Sequence, residues 1–173
     1  RNCIPYRIIG GIRFFDRAEV KDMLAYLHLI HNPADNLRLV RIINSPSRGI
    51  GSKTVETVEY LAHSTGKSMF DIVSSALEYE QLSRSAPRLH AFADMILDFI
   101  EMSSTEPLPD LYDKIMEKSG YLRSLEDKET EDPEMRVKIE NILELKSNII
   151  AYVQQAEEPS LAGFLDEVSL FTD

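Results

Sequence analysis

Apolar residues recur at helical spacing along most of the chain. The clearest set follows Asp16 and has the i, i+3, i+4, i+7 pattern of one buried helical face: Val20, Met23, Leu24, Leu27 and Ile30. Asp16, with Glu19 three residues later, predicts a capping box at the start of this helix. Asn32 and Pro33 predict its end, because the residue before a proline disfavours helical geometry.

Two further helices are predicted on either side of a glycine-containing connector. One begins at about Asp35, ends at Ser45–Pro46 and has an expected apolar stripe of Leu37, Val40 and Ile43. The other begins at Ser52 or Lys53, with four residues expected to face inward: Val55, Val58, Leu61 and Ala62. Residues 47–52 between them form a tight turn.

The second half of the sequence predicts helices throughout. Four weaker ones are expected at roughly 68–78, 86–102, 108–118 and 120–126. The longest, at about 133–155, opens with Pro133 in its first turn and has one apolar side: Ile139, Ile142, Leu145, Ile149 and Val153. A final helix is expected at about 160–170.

Residues 5–15 are the exception, because they combine β-formers with a break at Gly10–Gly11 and predict an extended segment. A lone strand has no partner for its backbone, and the sequence does not begin with Met. We therefore expect the chain to be a piece of a longer protein. The predicted fold class is all-α, an irregular multi-helix domain with a helix-hairpin-helix-like unit and one short N-terminal extended segment.

Composition narrows the classes of protein. The chain is 43% hydrophobic and 28% charged, with only seven glycines and eight prolines among 173 residues, which favours helices over a sandwich or barrel. Its single cysteine, Cys3, excludes an internal disulfide framework and a thiolate zinc site, in keeping with a reducing, cytoplasmic setting. No apolar run approaches 18 residues, so no membrane partner is expected.

Charge is distributed unevenly along the chain. The net charge is −10, yet residues 1–60 carry nine Lys/Arg against six Asp/Glu, whereas residues 61–173 carry ten against 23. A surface that binds an anion is therefore expected in the first third of the sequence. The acidic remainder predicts a solvated face.

The stretch from Arg48 to Thr54 carries the most specific chemistry in the sequence. Two glycines permit a tight turn around an inward-pointing Ile50, which leaves amides free at the start of the next helix. Such amides bind phosphate with the help of the helix dipole, and they read no base edges. The predicted DNA-binding residues are Arg48, Gly49, Ile50, Gly51, Ser52, Lys53 and Thr54. An ordinary glycine turn between two helices is the alternative.

Other motifs in the sequence favour structural roles. Residues 61–68 end in Gly66-Lys67-Ser68 but have Leu61 where a phosphate-binding loop needs glycine, and they follow a helix. His28 and His31 lack further metal ligands in a recognisable motif. The acidic residues 126–132 lack the spacing of a calcium loop, and no nucleophile elbow is present. No catalytic residues, metal or cofactor are therefore predicted for this chain.

Several segments, in order, resemble the 2B subdomain of UvrD/Rep/PcrA-type superfamily 1 DNA helicases. Residues 4–22 resemble the segment that leads out of the second RecA-like motor domain (2A) of that family, and 24–27, 32–33, 41–44 and 46–51 match the opening of its 2B insertion. Residues 118–121 and 140–145 match later landmarks. The resemblance covers nearly the whole chain and implies a boundary between a 2A edge (1–15) and a 2B-like helical subdomain (16–173).

The resemblance implies a function in DNA repair or replication. Helicases of this family couple ATP hydrolysis to 3′-to-5′ movement on single-stranded DNA, and the 2B subdomain contacts the duplex through Gly-Ile-Gly-type turns and swivels. The implied partners are double-stranded DNA at a junction with a single strand, the motor domains of the longer chain, which would bind ATP and Mg²⁺, and repair proteins. Ser119, Gly120 and Tyr121 form either a second DNA-contacting turn or a helix C-cap.

Two hypotheses about function follow from the sequence. The first is a duplex-binding, regulatory subdomain of a helicase. The second is a helical protein-interaction module that makes no direct contact with DNA and docks a partner through its acidic surface.

Overall fold

The computed structural model describes residues 11–172, with side chains from residue 13 onward, and within them every regular element is helical. Ten α-helices follow in order: α1 Gly11–Phe15, α2 Ala18–His31, α3 Asn36–Ile42, α4 Ser52–Thr65, α5 Met69–Ser74, α6 Ala86–Ser103, α7 Leu108–Lys118, α8 Tyr121–Glu126, α9 Glu134–Gln155 and α10 Leu161–Val168. Short 3₁₀ turns cover Ala76–Glu78, Glu80–Leu82 and Ser169–Phe171. The all-α prediction is confirmed.

Helix α2 lies at the centre of the fold. Nine of its 14 residues are buried, and it packs against α3, α6, α9 and α10. Around it, α4, α5, α6 and α7 pack each against the next, and α9 covers α7 and α8. The sequence produces this arrangement because α2 is apolar on nearly every side, so it is stable only when surrounded.

The start of α2 differs from the prediction. Arg17, not Asp16, is the N-cap, and no side chain caps the helix there. Glu19 is buried and accepts a hydrogen bond of 2.6 Å from Nδ2 of Asn141 in α9, whose Oδ1 accepts one of 2.8 Å from Arg17. The predicted capping box is therefore wrong, because the glutamate satisfies a buried amide of a distant helix instead.

The strand predicted over residues 5–15 is wrong for residues 11–15, which form α1; residues 5–10 lie outside the described part of the chain. Phe14 and Phe15 are buried in the common core, and the ring centroids of Phe15 and Phe171 lie 6.0 Å apart. Burial of two adjacent aromatic rings decides the local structure here. The domain boundary after residue 15 stays a prediction.

The apolar stripe predicted for α3 is also wrong in part. Leu37 and Val40 are exposed, and the residues that α3 buries are Leu39 and Ile42, followed by Ile43. Of the inward-facing residues predicted for α4 and α9, six are buried: Val58, Leu61, Ala62, Ile142, Leu145 and Ile149. The other three, Val55, Ile139 and Val153, are partly buried and pack against the core.

Candidate nucleic-acid interface

The turn between α3 and α4, residues 43–51, is held in place by one asparagine and one isoleucine. Oδ1 of Asn44 accepts hydrogen bonds from the backbone amides of Arg48, at 2.7 Å, and Ile50, at 3.1 Å. The Ile50 side chain is 1% exposed, which confirms that it anchors the turn in the core. Sequence reasoning missed Asn44, although a polar side chain just after a helix end is a common organiser of turns.

The start of α4 presents a set of free amides to solvent. Gly51 is the N-cap, and the first helical hydrogen bond runs from the amide of Val55 to the carbonyl of Gly51 at 3.2 Å. Among the described residues, none accepts a hydrogen bond from the amides of Gly51, Ser52, Lys53 or Thr54. These amides point along the axis of a 14-residue helix, so its dipole adds to their attraction for an anion.

Gly49 and Gly51 serve different purposes in the turn. Gly49 has φ +74°, a left-handed conformation that side chains disfavour, and a Cβ there would lie 2.9 Å from Nε of Arg88. Gly51 has φ −79°, which any residue adopts, and a Cβ there would meet no heavy atom within 4 Å. The fold therefore requires glycine at 49 but not at 51, where its absence of a side chain keeps the approach to the amides open.

Adding one methyl group at each glycine is expected to separate the two roles. Gly49→Ala should lower the free energy of unfolding by about 1–2 kcal/mol through backbone strain. Gly51→Ala should lower it by no more than about 1 kcal/mol, the difference between glycine and alanine at an N-cap. Urea denaturation of both variants checks this order, and a larger loss for Gly51→Ala would contradict the structural assignment.

The side chain of Arg48 points into the protein, away from the free amides. Its Nη1 donates to the carbonyls of Ile42 (2.7 Å) and Ile43 (3.2 Å), and its Nη2 donates to the Tyr26 hydroxyl (2.6 Å) and the Ser119 carbonyl (3.1 Å). The guanidinium carbon also lies 5.2 Å from the centre of the Phe92 ring. These internal contacts position the turn, and phosphate binding by Arg48 stays a prediction.

Lys53 and Thr54 lie on the first turn of α4 in different surroundings. Lys53 is exposed and, among the described residues, forms no ion pair, which leaves its ammonium free for a ligand. Oγ1 of Thr54 lies 3.1 Å from Oγ of Ser85, and this hydrogen bond holds Ser85, the residue before α6, against the start of α4. This contact brings Arg84 and Arg88, both exposed, beside the turn. Sequence reasoning missed these two arginines because they lie in the acidic part of the chain.

The second glycine turn lies beside the first. Ser119 is the C-cap of α7, and its carbonyl accepts from Arg48, while a Cβ on Gly120 would be 3.5 Å from Cγ of Pro46. Gly120 has φ +81°, and the Tyr121 hydroxyl donates to Oδ2 of Asp22 at 2.6 Å. Of the two sequence alternatives, this geometry is that of a helix C-cap, and DNA contact by Ser119, Gly120 and Tyr121 stays a prediction.

Burial changes the acid–base behaviour of two tyrosines near the turns. Burial raises the pKa of Tyr26, and the positive charge of Arg48 opposes that rise. Burial and the hydrogen bond to the Asp22 carboxylate raise the pKa of Tyr121. Both hydroxyls stay protonated at neutral pH, so they act as fixed hydrogen-bond donors between α2 and the two turns.

The segment that ends in Gly66-Lys67-Ser68 does not fit a nucleotide. Residues 61–65 are the last turns of α4, Gly66 is its C-cap, and the Ser68 hydroxyl caps α5 by accepting from the amide of Asp71. Within residues 11–172 no group of three His, Cys, Asp or Glu side chains is arranged to hold a metal ion. None of the described helices is long and apolar enough to cross a membrane.

Comparison with known proteins gives the chain a family context. The family model described as "UvrD-like helicase C-terminal domain" matches residues 1–173. Proteins named "ATP-dependent DNA helicase PcrA" from Staphylococcus epidermidis and Staphylococcus aureus are each 37% identical to the chain over 176 residues, an alignment that covers all of this chain. The chain spans 24% of the length of these relatives.

Proposed function

The chain belongs to the UvrD-like helicase C-terminal domain family, and from that membership we propose that it is the duplex-DNA-binding, regulatory subdomain of an ATP-dependent 3′-to-5′ DNA helicase. The observation that carries this proposal is the start of α4, where four amides without a protein acceptor and the exposed Lys53 surround open space at Gly51. A phosphate group fits this arrangement in both charge and hydrogen bonding.

The site would hold DNA by its backbone. The amides near Gly51 donate to phosphate oxygens, and Lys53 adds a positive charge beside them. Phosphates carry no sequence information, so the contact fixes the position of a duplex and reads no bases. That property suits a protein that must bind the duplex ahead of a moving junction whatever its sequence.

The rest of the proposed activity lies outside this chain. Because the relatives are four times as long and are named as ATP-dependent, we propose that ATP and Mg²⁺ bind in motor domains of the longer protein, to which this subdomain attaches. Residues 61–68, the segment most like a phosphate-binding loop, are committed to ending α4 and starting α5. Regulation would then consist of moving the duplex contact relative to the motor. Repair proteins are proposed as further partners.

Replacing Lys53 by glutamate tests the duplex contact. The change reverses a charge beside a phosphate, and a charge-assisted contact is worth roughly 1.5–3 kcal/mol, so we expect affinity for a 3′-tailed duplex to fall about ten-fold or more. The loss should be the same for unrelated duplex sequences. Fluorescence anisotropy at about 50 mM salt measures it, since low salt favours a weak phosphate contact.

Lys67→Glu is the matched control for this experiment. Lys67 is exposed and follows the C-terminal end of the same helix, about 20 Å from Lys53 for a helix of this length. If the Lys53→Glu variant and the unchanged chain bind the duplex with equal affinity, the glycine turn is only a structural connection between two helices. The hypothesis of a helical protein-interaction module, favoured by the net charge of −10, would then take precedence.

A further inference from the structure

The fold brings three distant stretches of sequence together around the glycine turn. The 44–55 stretch contains the turn itself. The 81–93 stretch meets it through the Thr54–Ser85 hydrogen bond of 3.1 Å and through Arg88, whose side chain lies against Gly49. The 118–125 stretch meets it from the other side through the 3.1 Å hydrogen bond from Arg48 to the Ser119 carbonyl and the packing of Gly120 against Pro46.

These three stretches contain no acidic residue. Together they comprise 33 residues with six Lys/Arg and no Asp or Glu, and acidic residues flank them in the sequence at positions 56, 80, 94, 117 and 126. Two of the stretches belong to the part of the sequence with the large acidic excess. The fold therefore places basic residues from outside the first third of the sequence, where an anion-binding surface was expected, around the turn.

Four of the five exposed Lys/Arg side chains on these stretches define what we call the basic face: Lys53, Arg84, Arg88 and Lys118; the fifth is Arg123. Within the part of the chain that the structure describes, none of the four pairs with a carboxylate, although other basic side chains, such as Arg41 and Lys146, do. An array of unpaired cations repels itself unless a polyanion neutralises it.

We propose that the basic face is a single surface for the backbone of duplex DNA, in which Arg84, Arg88 and Lys118 extend the phosphate contact that begins at Lys53. This inference rests on the proposed function for its choice of polyanion. Arg48 contributes by tying the 118–125 stretch to the turn, so that the cations on either side of the turn are held at a fixed spacing. Binding would then involve about four phosphates rather than the one or two that the turn alone can hold.

The salt dependence of binding measures the number of phosphate contacts directly. The logarithm of the binding constant for a duplex falls with the logarithm of salt concentration, with a slope of about −0.9 per phosphate neutralised. A triple variant of the chain, Arg84→Gln, Arg88→Gln and Lys118→Gln, is expected to lose nearly three units of this slope and about 100-fold in affinity for a 3′-tailed duplex near 0.1 M salt.

Lys67→Gln, Lys128→Gln and Lys138→Gln together form the control, because they change net charge equally and lie outside the three stretches. Equal losses in the two triple variants would show a general charge effect and overturn the inference. Single substitutions at each position, with circular dichroism to verify folding, identify which contacts contribute.

The outcome also separates this inference from the proposed function. If Lys53→Glu weakens binding and the Arg84/Arg88/Lys118 variant does not, the duplex contact at the turn stands and the extended face is overturned. If the triple variant weakens binding whereas Lys53→Glu and Gly51→Ala do not, the contact at the turn is overturned, and Arg84, Arg88 and Lys118 stand as a polyanion site without Lys53. Failure of the unchanged chain to bind duplex at about 50 mM salt overturns both.

Discussion

Arg48→Ala is expected to lower the free energy of unfolding by about 3–4 kcal/mol, because it removes a charged hub from a largely buried network. The guanidinium donates to two carbonyls at the end of α3, to the Tyr26 hydroxyl and to the Ser119 carbonyl. A cation is favoured at the C-terminal end of α3 by the helix dipole. Alanine would leave the carbonyls of Ile43 and Ser119 without a donor and would open a cavity beside Phe92, whereas the carbonyl of Ile42 would keep the amide of Ser45. Urea denaturation measures the change.

Two further variants make this prediction specific. Arg48→Lys retains the charge but not the planar fork that reaches several acceptors at once, so it should be intermediate in stability. Lys53→Ala, a change to an exposed basic residue five positions away, should alter the free energy of unfolding by less than about 0.5 kcal/mol. If Arg48→Ala is no more destabilising than Lys53→Ala, the guanidinium does not hold the two turns together.

The longer helices were predictable because their apolar spacing extends over several turns. In α4 and α9 the predicted inward residues are buried or partly buried, and the predicted end at Asn32 is the observed C-cap of α2. Helix α3 has only seven residues, so a stripe of Leu37 and Val40 fits helical spacing as well as the observed pair Leu39 and Ile42. Which face is buried depends on contacts with α2, and one short segment does not contain that information.

Residues 11–15 show tertiary packing overriding local preference. Aromatic and β-branched residues favour extended structure, but in the fold residues 11–15 form α1 and bury Phe14 and Phe15 against the body of helices. Glu19 shows the same limit, because its position suggests a helix cap while its actual partner, Asn141, is 122 residues away. Pairings across such separations arise only from the assembled fold.

The candidate site also has features that the sequence predicts and features that only the fold determines. The buried Ile50 and the start of α4 at Ser52 were predictable, since they depend on neighbouring residues. The inward direction of Arg48 was not, because an arginine beside a glycine turn has the same local sequence whether it binds a ligand or the protein itself. Arg84 and Arg88 were missed because only the packing of α6 against its neighbours brings them to the turn.

The stability of the fold is expected to decrease steeply above pH 10. Burial raises the pKa of Tyr26, Tyr112 and Tyr121 above the ordinary value of 10.0. In the unfolded chain these hydroxyls ionise near pH 10, whereas in the fold they stay protonated to higher pH. Their contribution to the free energy of unfolding is therefore fully present below pH 10 and is lost as pH rises towards the folded pKa. Between pH 10 and its folded pKa, each tyrosine lowers the free energy of unfolding by about 1.4 kcal/mol per pH unit. The three together lower it by about 4 kcal/mol per pH unit.

Tyr112→Phe isolates one of these contributions. The Tyr112 hydroxyl is buried and donates to the carbonyl of Ile142 at 2.7 Å, so its removal should cost about 1 kcal/mol at neutral pH. Above pH 10 the same variant should lose stability less steeply than the unchanged chain, by about 1.4 kcal/mol per pH unit. Tyr60→Phe, at a residue 67% exposed, is the matched control and should leave the slope unchanged. Urea denaturation at several pH values measures the slopes, and loss of lysine charge affects every variant alike. Identical slopes for Tyr112→Phe and the unchanged chain would contradict the prediction that burial and the backbone hydrogen bond keep this phenol protonated above pH 10.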